Sequence, residues 1–392
     1  MKILFLAQRV PYPPNKGDKL RSFNEIKFLS QFHDISLVCL ADNASDLKHK
    51  DELLKYCTSV DIVYLPKIRS KINTAVDLFS GSPLTLAHFY SAVFNNIVQQ
   101  KLQEEKFDLI FVYCSSMAQY VEKVTIIPRV IDFVDVDSEK WAQYAMYARF
   151  PMNLVYRLES RRLRIYEKVI AESFQHCFLV SEKEVDDFRR LVCPIDTLTP
   201  ILNGVDLDQF HPSAEPYDTN VIVFTGAMDY FANVEAVLYF AMEILPLIKD
   251  KIPQVKFYVV GSNPAAELLS LARSNPNIVV TGYVDQVQPY MAKAAVFVAP
   301  MRIARGVQNK ILEAMAMGVP VVTTSLGFEG ITAVLDNDIL IADDSSNFAD
   351  SVVKLMQNRE LREMLSKRGR NVVEYYYDWN LNLKNMHDTL AC

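Results

Sequence analysis

The sequence contains no Gly-x-Gly-x-x-Gly, so it lacks the strand–turn–helix fingerprint of dinucleotide binding, and a dehydrogenase of that kind is disfavoured. It contains no Cys-x-x-Cys. Its six cysteines (Cys39, Cys57, Cys114, Cys177, Cys193 and Cys392) are scattered, several of them inside apolar strands, and read as reduced thiols of a cytosolic protein. Its six histidines have no metal-ligand spacing, so no metal is expected. Positive charge is not in excess: the formal net charge is −6, which leaves no bulk basic field for nucleic acid. No apolar run approaches the length of a membrane span, and the N-terminal apolar stretch is cut short by Gln8 and Arg9, so it reads as a first strand rather than a signal peptide. There is no internal repeat and no low-complexity tract.

What is present is a chain of 392 residues, half of them apolar and 22% charged, which is too long for one ordinary core and implies two domains. Short apolar runs at 2–7, 35–40, 61–65, 107–113 and 128–134 alternate with helical patterns, and the alternation restarts at 221–225. That is the pattern of α/β domains with parallel sheets.

The most informative stretch is 296–324. Val296-Phe297-Val298-Ala299 reads as a buried strand closed by Pro300, and a loop with Arg302, Arg305 and Gly306 follows. A helix from Asn309 is stopped by Gly318, and Pro320 precedes the next strand. Ligands bind at the carboxyl end of strands in open α/β sheets, and a helix N-terminus there offers N–H groups to a phosphate. Lys310 and Glu313 share one face of this helix. They suit a nucleotide, with Lys310 on phosphate and Glu313 on ribose hydroxyls. They equally suit a surface ion pair on a helix that packs through Ile311, Leu312 and Met315.

Other stretches stay open in the same way. Gly17, with Lys16, Lys19 and Arg21 nearby, reads as a close approach to a diphosphate or as a plain turn. Gly226 ends a strand where a backbone can approach a ligand. Asp132 lies near the end of the 128–134 run and Asp135 follows it, and either fits acceptor binding or general-base work, while Asp135 with Asp137 also fits a metal or a helix cap. Basic Lys67, Arg69 and Lys71 precede Leu78, Phe79 and Phe89, which fits membrane-surface contact or an ordinary helix–loop–helix. The helical pattern at 156–173 carries Arg157, Arg161, Arg162, Arg164 and Lys168, diluted by Glu159 and Glu167, and reads as an anionic-surface binder or a solvated face.

The string GVQNKILEAMAMGVPVVTT resembles the C-terminal signature of the retaining group 1 (family four) glycosyltransferases. Glu313 and the nine residues after it match the second half of that signature, whereas Arg305 stands eight residues before Glu313 where the family carries a glutamate. Asn203-Gly204-Val205-Asp206 with Phe210 resembles the family's interdomain passage. The strings Arg302 to Lys310 and Asp132 to Ser138 are similar to the subgroup associated with exosortase and exopolysaccharide loci. The chain departs elsewhere: only Gly17 remains of a glycine pair, Ser115 and Ser116 replace a histidine, and Ala227 and Ala232-Asn233 stand where many relatives place an arginine and a lysine.

The resemblance implies a GT-B fold, two Rossmann-like domains facing a central cleft. Residues 1–202 would form an acceptor domain and 203–376 a donor domain, with 377–392 as a helix crossing back. It implies retaining transfer of a hexose-type sugar from a nucleotide diphosphate sugar to a glycan or lipid-linked acceptor in surface-polysaccharide assembly. No cofactor beyond the donor is implied, and the setting is cytoplasmic or peripheral on the inner membrane face. Implied donor contacts are Gly17, Arg21, Gly226, Arg302, Gly306, Val307, Gln308, Asn309, Lys310 and Glu313, with Tyr283 and Val284 at the base. Asp132, Asp135 and Arg305 are the catalytic candidates. A nucleotide-sugar 2-epimerase and a non-catalytic sugar-nucleotide-binding subunit fit the same fold.

Overall fold

The computed structural model describes the chain except Asn15, Lys16, Lys67, Arg69, Lys71, Ile72, 75–79, Glu215, Ala391 and Cys392. Lys16 and the basic–aromatic residues Lys67, Arg69, Lys71, Leu78 and Phe79 therefore lie outside the described residues. The chain divides into two compact units, Met1–Ile201 with Leu383–Cys392, and Leu202–Asn382.

The first unit is built on seven strands: β1 (Lys2–Ala7), β2 (Asp34–Ala41), β3 (Ser59–Tyr64), β4 (Leu109–Tyr113), β5 (Arg129–Val134), β6 (His176–Leu179) and β7 (Leu198–Pro200). They lie in the order β3-β2-β1-β4-β5-β6-β7, and every pairing is parallel. Parallel sheets are covered on both faces, which is why the strands are apolar throughout rather than alternating. All five residues of β4 are buried, and Leu6, Val38, Val112, Ile131 and Leu179 share one core with helix residues such as Phe94 and Ile170.

The second unit has six parallel strands: β8 (Asp218–Thr225), β9 (Lys256–Val260), β10 (Ile278–Val280), β11 (Ala294–Ala299), β12 (Val321–Thr323) and β13 (Leu340–Ile341). Their order is β10-β9-β8-β11-β12-β13. Between β8 and β9 runs a helical stretch, Phe231–Lys251, with a π-helical turn at Phe240–Ile244. This stretch corrects one sequence expectation. Glu235, Glu243 and Pro246 interrupt its apolar run, yet its 21 residues are long and apolar enough to cross a membrane by length and composition alone. Ala236, Val237, Phe240, Ile244, Leu245 and Ile248 are buried in the protein, as in a core helix.

Gly318 ends the helix Asn309–Ala316 in the left-handed region, at φ +68°. Val319 N–H donates to Ala314 O and Gly318 N–H to Met315 O, the paired bonds of a Schellman stop. This stop directs the chain from the helix into β12.

Candidate functional site

Strand order reverses between β8 and β11 in the second unit, and open α/β sheets bind ligands outside the carboxyl ends of the strands at such a point. Three backbone segments meet there. Gly226 follows β8, Gly261 follows β9, and the loop 300–308 follows β11. Gly226 and Gly261 touch so closely that a Cβ on Gly261 would lie 1.7 Å from Gly226 O, so position 261 accepts glycine alone without the chain moving. Gly226 N–H donates to Val260 O at 3.1 Å, and Met228 N–H to Ser262 O at 2.8 Å, which ties the two strand ends together.

Lys310 reaches this floor from the first turn of its helix. Its Nζ would lie 3.4 Å from a Cβ on Gly226 and sits 4.4 Å from the centre of the Phe224 ring. The ammonium hydrogen-bonds to Asn233 Oδ1, and Asn233 Nδ2 in turn donates to Ala227 O at 2.9 Å. Asn233 thus fixes Lys310 beside the backbone of the β8 loop. Lys310 and Glu313 do not form the surface ion pair that their spacing allows; among the described residues the Glu313 carboxylate has neither an ion-pair nor a side-chain hydrogen-bond partner. Burial pushes Lys310 down to about 7 against the pull of Glu313, and pushes Glu313 up to about 7 against the pull of Lys310. Among the described residues an amide and a ring face hold this half-buried cation and no carboxylate bonds to it, an arrangement that suits an anion.

Gly306 adopts φ +66°, a conformation that favours glycine, and shapes the turn into Val307 and Gln308. Gln308 precedes the helix as its cap residue, and its Nε2 donates to Arg305 O at 3.4 Å. Asn203 Nδ2 donates to Asn309 Oδ1 at 2.8 Å. Tyr283 is 73% exposed and follows Gly282, which has φ +72°; Val284 is partly buried beside it. Arg302 corrects an expectation. As a candidate phosphate contact it would need to be available, but it is paired with Glu235, lies 3.8 Å from Glu243, and stacks on Tyr239 at 4.2 Å.

In the first unit two more candidates change character. Arg21 and Asp132 are buried, and Arg21 Nε donates to Asp132 Oδ2 at 2.5 Å while lying 3.2 Å from Glu25 Oε1. Arg21 Nη1 also donates to Ile201 O at 2.8 Å. Burial works against the Arg21 cation, but Asp132 and Glu25 outweigh it and hold its pKa above the ordinary arginine value. Burial and the neighbouring Asp132 raise Glu25 well above the usual carboxylate range. Arg21 is therefore a core counter-ion and not a donor contact, and Asp132 is enclosed with its charge neutralised, which removes it as a general base.

Asp132 instead positions the ends of two strands. Its Oδ1 accepts Val134 N–H at 2.9 Å and its carbonyl accepts Cys114 N–H at 2.8 Å. Val134 and Cys114 both have positive φ, 68° and 71°, so Asp132 holds two strained residues at the carboxyl ends of β5 and β4. Asp135, partly accessible just beyond, remains the carboxylate at that edge. Asp137 accepts from Ser115 Oγ at 3.1 Å and sits 3.4 Å from Lys140 Nζ. Among the described residues no group of three His, Cys, Asp or Glu side chains stands close enough to hold a metal. Gly17 is exposed at the start of the helix Gly17–Leu29 that follows β1.

Asn233, Phe224 and Gly261 were not anticipated as site residues. In the sequence Asn233 marks only the place of a missing lysine; its use becomes visible once Lys310, 77 residues away, bonds to it.

Residues 219–358 match the family described as "Glycosyl transferases group 1", a span that contains Gly226, Asn233, Lys310 and Glu313. An uncharacterized 44.6 kDa protein in the cps region of Klebsiella pneumoniae is 21% identical over 96% of each chain. Sucrose-phosphate synthase from Thermosynechococcus elongatus superposes with a TM-score of 0.77 at 17% identity, over 100% of this chain and 98% of that one. Anabaena HepE, solved in complex with UDP and glucose, gives 0.68 at 15% identity, over 100% and 99%. The fold is GT-B, with two Rossmann-like parallel-sheet domains, and the family match supports glycosyl transfer.

Proposed function

We propose that this chain is a retaining glycosyltransferase. It moves a hexose-type sugar from a nucleotide diphosphate sugar to a glycan or lipid-linked acceptor in surface-polysaccharide assembly, at the cytoplasmic side of the membrane. The observation that carries this reading is Lys310, held by Asn233 and the Phe224 ring at the floor formed by Gly226, with no carboxylate bonded to it among the described residues. In this reading the diphosphate takes the place of that missing counter-ion, and the lysine stabilises the charge that develops as the glycosidic bond breaks. Glu313 accepts from the ribose hydroxyls, Tyr283 and Val284 flank the base, and the backbone N–H groups at Gly306, Val307 and Gln308 hold the sugar. Arg305 replaces an acid beside the sugar, and Asp135 serves the acceptor. Support comes from the group 1 match over this region, from a relative in a cps region, and from a structural neighbour that binds UDP and glucose.

The test is a thermal-shift screen with UDP, GDP, ADP and their sugars, followed by turnover with the sugar that binds. One nucleotide is expected to raise Tm, since a ligand bound only by the folded state stabilises it by mass action. If none does, or if Lys310→Ala keeps wild-type kcat/KM while folded, the reading fails.

A further inference from the structure

The first unit carries a helical hairpin, Asp137–Tyr147 followed by Met152–Ser173, whose outer face is apolar and cationic. In sequence, Glu159 and Glu167 dilute the basic run of the longer helix. In the structure both turn inward. Glu159 accepts Leu84 N–H at 2.6 Å and Thr85 N–H at 2.8 Å, capping another helix, and Glu167 accepts Ser138 N–H at 3.0 Å. Glu139 is spent on Arg164.

The outer face therefore loses Glu159 and Glu167, and keeps its cations with Glu172 exposed among them. Arg149, Arg157 and Arg161 are exposed and have no ion-pair partner among the described residues, while Lys168 has only a loose pairing with Glu172 at 3.7 Å. Beside them Leu154, Leu158, Ile165 and Val169 are exposed; at 3.6 residues per turn they form a stripe about 60° wide, and Arg157, Arg161 and Lys168 form the adjoining stripe. At the hairpin tip Met146 is 72% and Phe150 78% exposed.

We propose that this hairpin docks on an anionic lipid bilayer, with Met146 and Phe150 entering the interface and the arginines meeting the headgroups. Charge selects the occupant. A second copy of this chain would set arginine stripe against arginine stripe, whereas an anionic surface complements a cationic face on a protein of net charge −6. The inference does not rest on the proposed glycosyl transfer.

The experiment is flotation of the purified full chain with phosphatidylglycerol vesicles and with phosphatidylcholine vesicles, at low and high salt. Binding to phosphatidylglycerol at low salt is expected, falling with salt, with little binding to phosphatidylcholine. Reversing two charges in Arg157→Glu/Arg161→Glu is expected to weaken partitioning by about 30-fold or more, from roughly fivefold per cation. Phe150→Asp/Leu154→Asp is expected to weaken it by about tenfold or more through lost apolar burial. Circular dichroism and Tm of both variants should match wild type, because all four residues are exposed. Equal binding to both lipids, or binding unchanged in both variants, overturns the proposal. So does a dimer in light scattering that Leu158→Asp/Ile165→Asp dissolves, which would make a second copy the occupant.

Discussion

Two cations approach the strand ends of the two sheets, and their surroundings differ. Arg21 in the first unit is enclosed with Asp132 and Glu25, and its charge is answered on the spot. Lys310 in the second unit has an amide, an aromatic face and a glycine backbone, and among the described residues no carboxylate bonded to it. The lesson is that a buried charge with its counter-ion in place organises the fold, whereas a charge kept short of one is available to a ligand. Substitutions at the two positions should therefore fail in opposite ways.

Arg21→Met leaves the enclosed Asp132 carboxylate beside Glu25 without a cation and should cost about 3–5 kcal/mol of stability by urea denaturation, with Arg21→Met/Asp132→Asn recovering part of it. Lys310→Met should leave stability unchanged or raised. Its folded pKa of about 7 lies below the free lysine value, so folding disfavours the charged form, and at pH 6 that penalty is fully present in the wild type and absent in the variant. The same change should weaken binding of the nucleotide found by the thermal-shift screen by about 10- to 150-fold in calorimetry, the worth of one charge-assisted hydrogen bond. A variant that unfolds at Lys310, or binds at Arg21 as if nothing had changed in the core, would erase the distinction between the two sites.

Gly261→Ala sharpens the comparison by moving the floor and leaving the charge. Displacing Gly226 O should cost about 1–3 kcal/mol in stability and weaken nucleotide binding along with it. The pH dependence should follow Lys310: affinity holds below pH 7 and falls by up to about tenfold per unit above it as the lysine loses its proton, and binding takes up protons from the buffer. Lys310→Met should flatten that limb. Tyr283→Ala should have the smallest effect, less than about 1 kcal/mol, because the ring is mostly in water before any ligand arrives.

Elements with a local cause were legible in the sequence. The buried parallel strands follow from apolar runs such as Leu109–Tyr113, and the helix end at Gly318 follows from a glycine followed closely by Pro320. Properties that depend on distant partners were not. Arg21 and Asp132 lie 111 positions apart, and nothing in either neighbourhood says that each neutralises the other. Glu159 and Glu167 read as solvent-facing acids because periodicity reports which helix face is apolar; it does not report that a backbone N–H waits 75 or 29 positions away. For Lys310 and Glu313 the spacing allowed a surface pair, and that Lys310 turns to Asn233 instead depends on a partner 77 positions away.

The contact between Gly226 and Gly261 has a practical consequence for protein engineering. At Gly226 and Gly261 the floor beneath Lys310 is peptide backbone, with no side chain at either position to exchange. A library diversified at 226 and 261 would return mostly damaged proteins. On the proposed reading, altered donor preference should instead be sought at Tyr283 and Val284 and at Arg305, Val307 and Gln308, where exposed or partly exposed side chains can vary while the floor stays as it is.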